Sequence, residues 1–359
     1  MSSSMLSIAV SINSRFDNSS DIQSNHTYEL NIIKWKTVIS SSILLPIFTF
    51  GIFGNVLLIS TIHKHKKFHT PSYILSVNMA ISDIIQLLFG TTYLVLNVIL
   101  IYGFSLNTAS YKAICQIHFS VLSSSFTTSS QSLLAVSIDR YLTINTVNNS
   151  KSPFTRRKVL ILTIIYTWLI GFTLAIPVAF VVDINPAFPF LCDLRSNGMD
   201  RNQLIPIIRF ITAIISYPVP LLTASFLYQK VIKRIRSSIV AHNELKNKVC
   251  VWKNHSRQVD ATKMMIIATV IFMIIALPMF IVLVLFSTTQ TSVTELVLEG
   301  GLVPYILITG SFLLAMINSV QNPLVFFVYN KTFRKAIINN RRQYNLRFLP
   351  SARFLSRVS

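Results

Sequence analysis

The chain alternates between long apolar stretches and short polar segments, and seven of the apolar stretches are long enough to cross a lipid bilayer. A hydrocarbon core of about 30 Å needs about 20 apolar residues in a helix. The pattern therefore predicts an all-α membrane protein built as a seven-transmembrane helix bundle. The predicted spans cover approximately residues 38–62, 73–99, 113–141, 159–182, 204–228, 264–286 and 302–328.

The segments outside the spans complete the predicted domain organisation. Residues 1–37 are polar and rich in Ser and Asn, without the basic start and short apolar core of a cleavable signal peptide, and are predicted to form a disordered tail. Residues 38–328 make up the bundle. Residues 329–359 are predicted to form a short amphipathic helix, helix 8, and a basic tail.

The third span is the most polar, because Ser and Thr crowd residues 123–132. Hydroxyl groups within a membrane are satisfied by neighbouring helices and not by lipid. We therefore expect this span to lie in the interior of the bundle.

Basic residues are distributed unevenly among the connecting segments. Four alternate segments, 62–71, 140–158, 229–263 and 329–359, contain 25 of the 32 Lys and Arg residues. Basic loops remain in the cytoplasm, so the N-terminus is predicted to be extracellular and the chain to be a multi-pass plasma membrane protein. The net charge of +20 is then mostly a topology signal and an attraction to anionic membrane lipids, and no nucleic-acid partner is expected.

The composition agrees with a membrane protein. Hydrophobic residues make up 52% and charged residues 12% of the chain, and the mean hydropathy is +0.57. Soluble domains carry about 25% charged residues. These values exclude a soluble domain, a disordered chain and a disulfide scaffold.

Two glycosylation sequons begin at Asn18 and Asn25, in the predicted extracellular tail, and we expect these asparagines to be glycosylated. Three further sequons begin at Asn148, Asn254 and Asn330. All three fall on the predicted cytoplasmic side, where they should stay unmodified.

A series of short motifs occurs in a fixed order along the spans: Gly54-Asn55-Val56, Asn78 with Asp83, Cys115, Asp139-Arg140-Tyr141, Trp168, Pro220 with Tyr228, Phe272 with Pro278, and Asn318-Ser319 with Asn322-Pro323. The set resembles the rhodopsin-like (class A) G-protein-coupled receptors from Asn55 to about Ile338. The resemblance implies a receptor, not an enzyme, that binds an extracellular ligand and activates a heterotrimeric G protein. Single motifs of this kind are weak, but motifs in the right order on the right spans are a strong signal.

The resemblance implies a G-protein switch formed by Asp139, Arg140, Tyr141, Tyr228, Asn322 and Pro323. Asp139 is implied to restrain Arg140 at rest, and Arg140 to meet the G protein when the sixth helix swings outward. The alternative for Arg140 is an arginine that extends to the membrane interface, which is common at helix ends.

The resemblance also implies a disulfide between Cys115, at the start of the third span, and Cys192, in the loop between spans four and five. An extracellular loop is an oxidising environment in which such a bridge persists. Two unpaired thiols are the alternative.

A polar network is predicted around Asp83, a carboxylate at mid-membrane depth that needs partners. Its expected members are Asn55, Asp83, Ser129, Asn318, Ser319 and Asn322. Such oxygen ligands suit a small hard cation, and the resemblance implies a structural sodium ion held by Asp83; no other cofactor is expected. A network of protein groups and water without an ion is the alternative.

A ligand pocket is predicted from positions about two turns below the extracellular surface. Its residues are Leu122, Ser123, Phe126, Arg209, Thr212, Ser216, Met279, Phe280, Phe312 and Met316. Leu122 occupies the position where amine receptors of the family carry Asp, and Met316 the position of the retinal-bearing Lys of opsins. Arg209 would face an anionic group of the ligand or extend to lipid headgroups.

Two family positions depart from the usual residue, because Ala276 replaces a Trp and Phe326 a Tyr. Such drift is typical of large receptor sets that diversified rapidly, including nematode serpentine chemoreceptors. The ligand class stays open between a peptide and a small odorant. A membrane transporter is the competing class, but it would need several intramembrane ionisable residues, and only Asp83 and Arg209 lie away from the helix ends.

Overall fold

A computed structural model describes residues 2–104, 106–145, 152–185, 191–194, 204–243, 249–288 and 302–338. The helices are α1 (Ser2–Lys64), α2 (Pro71–Ile101), α3 (Thr108–Asn145), α4 (Arg157–Val181), α5 (Leu204–Ser216), α6 (Pro218–Asn243), α7 (Val249–Thr288) and α8 (Leu302–Tyr329). Residues 331–338 form a further helix, α9. The strands β1 (Val182–Ile184) and β2 (Cys192–Leu194) pair in antiparallel orientation.

The first helix is longer than the predicted span. The structure carries α1 through residues 2–37, where the sequence predicted a disordered tail. No Pro or Gly, the residues that interrupt helices most strongly, occurs before Pro46. The apolar part that is long enough to cross a membrane begins at Leu30.

The fifth predicted span, 204–228, is divided into two helices at Tyr217. Two prolines cause the break: Pro218 and Pro220 have no N–H to donate to the preceding turn. The carbonyl of Ser216, which would normally accept from residue 220, instead accepts a hydrogen bond of 2.9 Å from the Ser130 hydroxyl of α3. The neighbouring helix thus satisfies the backbone group that the proline leaves unpaired.

The polar helix α3 lies inside the bundle, as the sequence predicted. Within the described residues, six helical segments are long and apolar enough to cross a membrane, one of them formed by α5 and α6 together, and α3 falls outside this set. Its hydroxyls are buried and bonded to neighbouring helices: Thr128 donates to the Thr167 carbonyl of α4 at 3.4 Å, and Ser132 accepts from the Asn78 amide of α2 at 2.9 Å. Asn78 in turn accepts from the Trp168 indole N–H at 2.9 Å, so three helices share one group of hydrogen bonds.

The short helix α9 follows α8 directly, as predicted for residues after the seventh span. The Asn330 side chain caps it by accepting from the Phe333 backbone N–H at 3.0 Å. Phe333 is buried and lies against Phe326 of α8, with ring centroids 5.8 Å apart. Helix α9 is therefore held against the bundle by its own aromatic anchor.

Close packing of α3 against α4 depends on a glycine. A Cβ atom on Gly171 would lie 2.7 Å from the Ser124 carbonyl oxygen and in contact with the Thr128 hydroxyl. We therefore expect Gly171→Ala to destabilise the bundle by about 1–3 kcal/mol through overpacking. The unfolding temperature of the purified protein measures this loss.

Gly310→Ala is the matched control, because a Cβ there would meet no described atom within 4 Å. Alanine is favoured over glycine in a helix by about 1 kcal/mol, so this variant should be neutral or slightly stabilising. Equal unfolding temperatures for the two variants would contradict the packing argument.

Candidate functional site

A disulfide closes one end of the bundle. Cys115 of α3 and Cys192 of β2 are joined, with their sulfurs 2.06 Å and their Cα atoms 5.7 Å apart, which confirms the predicted pair. An ion pair of 3.0 Å between Lys112 and Asp183 adds a second link from α3 to the hairpin. The β1–β2 hairpin is thus fixed over α3, and we call this side of the bundle the disulfide end.

A cavity of about 170 Å³ lies between the helices near the disulfide end. The structure brings all ten residues of the predicted pocket together around it: Leu122, Ser123, Phe126, Arg209, Thr212, Ser216, Met279, Phe280, Phe312 and Met316. Helical spacing explains the agreement, because residues three, four and seven positions apart share one face of a helix.

The cavity wall also contains Tyr217, which the sequence analysis missed. Tyr217 stands at the break between α5 and α6, and its hydroxyl donates to the Met273 carbonyl of α7 at 2.5 Å. Its ring stacks on Phe280, with centroids 5.2 Å apart, in the same cluster as the small Ala276. The signal that could have revealed this residue is an isolated Tyr immediately before Pro-Val-Pro.

The predicted polar network is assembled around Asp83, which is buried between α2, α3 and α8. The Ser129 hydroxyl donates to one carboxylate oxygen at 3.1 Å, and the Asn322 amide donates to the other at 2.6 Å. Ser319 also interacts with this carboxylate. One face of α8 therefore converges on Asp83.

Asn55 joins the network through a backbone group that Pro323 leaves unpaired. The Ser319 carbonyl would normally accept from residue 323, which is a proline without an N–H. The Asn55 amide donates to this carbonyl at 2.9 Å and to the Gly51 carbonyl at 3.0 Å. Asn55 thus ties α1 to α8 at the proline.

The chemistry of this network fits a small hard cation. The side-chain oxygens of Asn55, Asn318 and Asn322 are buried and have no hydrogen-bond partner among the described residues. Together with a carboxylate and the hydroxyls of Ser129 and Ser319, they form a set of oxygen donors of the kind that such cations prefer.

Arg140 lies at the opposite end of α3, in a cleft of about 760 Å³ that we call the Arg140 cleft. Its side chain is 7% exposed, and its Nε has no hydrogen-bond partner among the described residues. Tyr73 of α2 and Tyr228 of α6 both lie within electrostatic reach of its charge. Of the predicted switch, Tyr228 therefore lies near Arg140, although it is not among the described residues that line the cleft.

The neighbouring Asp139 has other partners than the sequence predicted. Its carboxylate accepts hydrogen bonds from the Ser72 hydroxyl of α2 and, at 3.0 Å, from the Ser152 hydroxyl that precedes α4. Within the described residues, no ion pair joins Asp139 to Arg140. Two hydroxyl donors from distant segments satisfy the carboxylate, and this is why it does not need the guanidinium.

The remaining residues of the predicted switch lie apart from Arg140. Tyr141 packs beside Val231 and Ile235 of α6. Asn322 belongs to the Asp83 network, and Pro323 packs against Gly54 of α1. The predicted switch is thus spread over several depths of the bundle.

The sequons are placed only in part. The side chains of Asn18, Asn25 and Asn254, and the whole of Asn148, lie outside the described residues. Asn330 is described, and its amide donates to the Tyr73 hydroxyl at 2.9 Å. It is buried and already serves as the cap of α9.

A seven-helix bundle with a disulfide, a cavity and a buried polar network indicates a membrane receptor. The family model for 7 transmembrane receptors (rhodopsin family) matches residues 54–326, which is most of the chain. The chain therefore belongs to the rhodopsin family of seven-transmembrane receptors. It is a G-protein-coupled receptor, a multi-pass protein of the plasma membrane and not an enzyme.

The relatives agree with this assignment. Neuromedin U receptor homolog nmur-2 of Caenorhabditis elegans is 25% identical over 321 residues, which cover 81% of this chain and 76% of that protein. Neuropeptide receptor 22 of the same organism is 26% identical, over 87% of this chain and 70% of that protein. Dopamine receptor 3 of Caenorhabditis briggsae is 25% identical, over 58% of this chain and 32% of that protein.

The fold has a counterpart among solved structures. Squid rhodopsin superposes with a TM-score of 0.64 over 88% of this chain and 86% of that chain, at 19% identity. The likeness confirms the seven-helix architecture.

Proposed function

We propose that this receptor responds to an extracellular peptide that enters the cavity from the disulfide end. The similarity to a neuropeptide receptor extends over 87% of the chain, whereas the similarity to a dopamine receptor covers 58%. The cavity itself argues against an amine. Among the described residues that line it there is no Asp or Glu to pair with an ammonium group, and Leu122 stands where amine receptors of the family carry Asp.

We propose further that the disulfide end faces the extracellular side. A disulfide persists in an oxidising environment. The four segments that would then be cytoplasmic hold 25 of the 32 Lys and Arg residues, in agreement with the positive-inside rule. The peptide therefore approaches the cavity past the β1–β2 hairpin.

The Arg140 cleft would be the G-protein contact. Arg140 lies in this cleft together with Tyr73 and Lys263. Tyr228 is close enough to interact electrostatically with the Arg140 guanidinium. The two turns of α6 that follow Tyr228 present four exposed basic residues: Lys230, Lys233, Arg234 and Arg236. These residues are placed to contact acidic groups of a partner and the headgroups of anionic lipids.

The experiment is a screen of cells that express the chain with a promiscuous G protein. Pools of peptides, biogenic amines and small odorants are applied outside the cell, and second-messenger release is measured. Activation by a peptide pool, dependent on the receptor, supports the proposal. Activation by amines or odorants alone would overturn it.

The Asp83 network is proposed to hold a sodium ion, bound by Asp83 with Ser129 and Asn318. The bound charge would neutralise the Asp83 carboxylate at mid-membrane depth. Asp83, Ser129 and Asn318 belong to three helices, α2, α3 and α8, so their arrangement depends on how these helices pack. The cation favours one packing of these three helices and an agonist favours another, so each ligand weakens binding of the other.

Replacing potassium by sodium is expected to lower agonist affinity about 5- to 150-fold, the usual range of coupling between two sites. Asp83→Asn keeps the shape but removes the charge, and it should erase this sodium effect. Radioligand binding with a peptide agonist from the screen measures both.

Asp260→Asn is the control, because it removes a carboxylate from the Arg140 cleft and leaves the Asp83 network intact. It should keep the sodium effect. Equal agonist affinity in sodium and potassium for the unchanged receptor would instead favour a network of protein groups and water.

A further inference from the structure

Helix α5 has two different faces, and Arg209 lies on the inner one. Ile207, Phe210 and Ile211 are exposed on the side that meets lipid. Arg209, Thr212 and Ser216 follow at helical spacing and line the cavity. An arginine that extends to lipid headgroups would belong to the exposed face, whereas Arg209 is placed where it can meet a ligand in the cavity.

The cavity is otherwise uncharged. Among the described residues that line it, Arg209 is the only one with a formal charge. The remaining wall is mostly apolar and rich in aromatic rings, namely Phe119, Phe126, Tyr217, Phe280 and Phe312. A charge at membrane depth is costly and is usually retained for a function.

We infer that the part of the ligand that enters this cavity is an aromatic or other apolar residue carrying a carboxylate, and that Arg209 binds this carboxylate. The inference rests on the proposed ligand-binding function of the cavity and specifies the chemistry of its ligand. The guanidinium offers two parallel N–H donors that match the two oxygens of a carboxylate. The hydroxyls of Thr212 and Ser216 continue the polar side of the cavity below it.

The acidic groups at the disulfide end do not alter the charge of the cavity. Asp183 is paired with Lys112, and Asp193 accepts from the Asn185 amide at 3.2 Å. Neither acid lines the cavity. The anionic end of the ligand would therefore be bound beside α5 without competition from these acids.

Two sources can supply this chemistry: the C-terminal residue of a peptide with a free carboxylate, and a free aromatic carboxylic acid. A cavity of about 170 Å³ admits the end of a ligand and not a whole peptide. Both sources present the same group to Arg209. They differ in the rest of the ligand: a peptide has further residues that would lie on the β1–β2 hairpin, and a free acid has none.

The test uses three probes that share one aromatic side chain. N-acetyl-phenylalanine carries a carboxylate, N-acetyl-phenylalaninamide is neutral, and phenylalaninamide is cationic. Binding to the purified receptor in lipid nanodiscs is measured from the concentration dependence of the unfolding temperature, because a ligand that binds the native state stabilises it. We expect the carboxylate to bind at least about tenfold more tightly than its neutral amide.

Variants test whether this preference depends on Arg209. Arg209→Gln should lower affinity for the carboxylate about tenfold or more and leave affinity for the amide unchanged. Arg209→Lys should retain part of the preference, because it keeps the charge but loses the paired donors. Arg157→Gln, at the exposed start of α4, is the control and should behave like the unchanged receptor.

Equal affinity for the carboxylate and the amide, tighter binding of the cationic probe, or absence of saturable binding by the carboxylate would each overturn the inference. The comparison of probes on the unchanged receptor needs no variant, so a folding defect of Arg209→Gln cannot obscure it. A matched pair of peptides with free and amidated C-termini then separates the sources. A preference for the free acid of a longer peptide indicates a peptide C-terminus, and binding of the single residue alone indicates a free acid.

Failure of the inference about Arg209 can be distinguished from failure of the proposed function. If a peptide pool activates the G protein but Arg209→Gln and C-terminal amidation change nothing, the receptor function stands and the inference about Arg209 is wrong. If no peptide pool activates the G protein while the carboxylate probe binds through Arg209, the ligand chemistry stands and the peptide assignment is wrong.

Discussion

Replacing Arg140 by alanine is expected to abolish activation of the G protein, while cell-surface expression stays within about twofold of the unchanged receptor. The structure gives the reason for this separation. Asp139 is satisfied by the Ser72 and Ser152 hydroxyls, so the loss of Arg140 leaves no unpaired buried carboxylate behind. The substitution removes the Arg140 guanidinium from the cleft and leaves the other charged residues of the cleft in place.

Agonist-stimulated nucleotide exchange and surface labelling, measured on the same cells, check both parts. Lys67→Ala is the matched control, because Lys67 also places a cation at the Arg140 cleft but lies over the Phe68 ring, with its Nζ 5.0 Å from the centroid. This variant should still signal. Normal signalling by Arg140→Ala would remove the central residue of the proposed switch.

Loss of the disulfide should have the second large effect. Cys115 and Cys192 are 77 residues apart, and a disulfide typically stabilises a protein by about 2–4 kcal/mol, with more expected for longer loops. We therefore expect Cys115→Ser and Cys192→Ser each to reduce surface delivery and agonist binding severely. The β1–β2 hairpin would lose its covalent link to α3.

The double variant is expected to be no worse than either single variant, because one bond is lost in all three cases. Cys250→Ser, at the third cysteine of the chain, is the control and should be delivered normally. Additive losses in the double variant would show that the two sulfurs are not partners in the cell.

The sequence predicted the helices and the cavity well because both depend on local periodicity. An offset in residue number converts directly into depth and direction on a helix. Leu122 and Phe126 on α3 could therefore be placed around the same cavity as Phe312 and Met316 on α8. Each residue needed only the span to which it belongs and its distance from the end of that span.

Contacts between distant segments were harder to predict from the sequence. The prediction that Asp139 restrains Arg140 could not include the Ser72 and Ser152 donors, because these reach the carboxylate through the packing of α2 and of the turn before α4. Sequence spacing gives no information on such tertiary pairing. The same limit applies to Tyr217, whose bond to the Met273 carbonyl depends on how α5 and α7 face each other.

Prolines connect the sequence of one helix to its contacts with a neighbouring helix, in a way that can be used in prediction. Each proline leaves a carbonyl four residues earlier without its helical donor. In this receptor Ser130 satisfies the carbonyl freed by Pro220, and Asn55 satisfies the one freed by Pro323. A search for polar side chains at the matching depth on neighbouring helices would have suggested both contacts.

Nucleotide exchange on a purified heterotrimeric G protein, with the receptor reconstituted in lipid vesicles, tests the receptor function most directly. The peptide pool that activates the cell assay is added on the side of the disulfide end, and exchange is compared for the unchanged receptor and Arg140→Ala. We expect exchange to rise with the unchanged receptor, not with Arg140→Ala, and no peptide to cross the vesicle membrane. Transport of peptide into the vesicles without any stimulated exchange would contradict the receptor function.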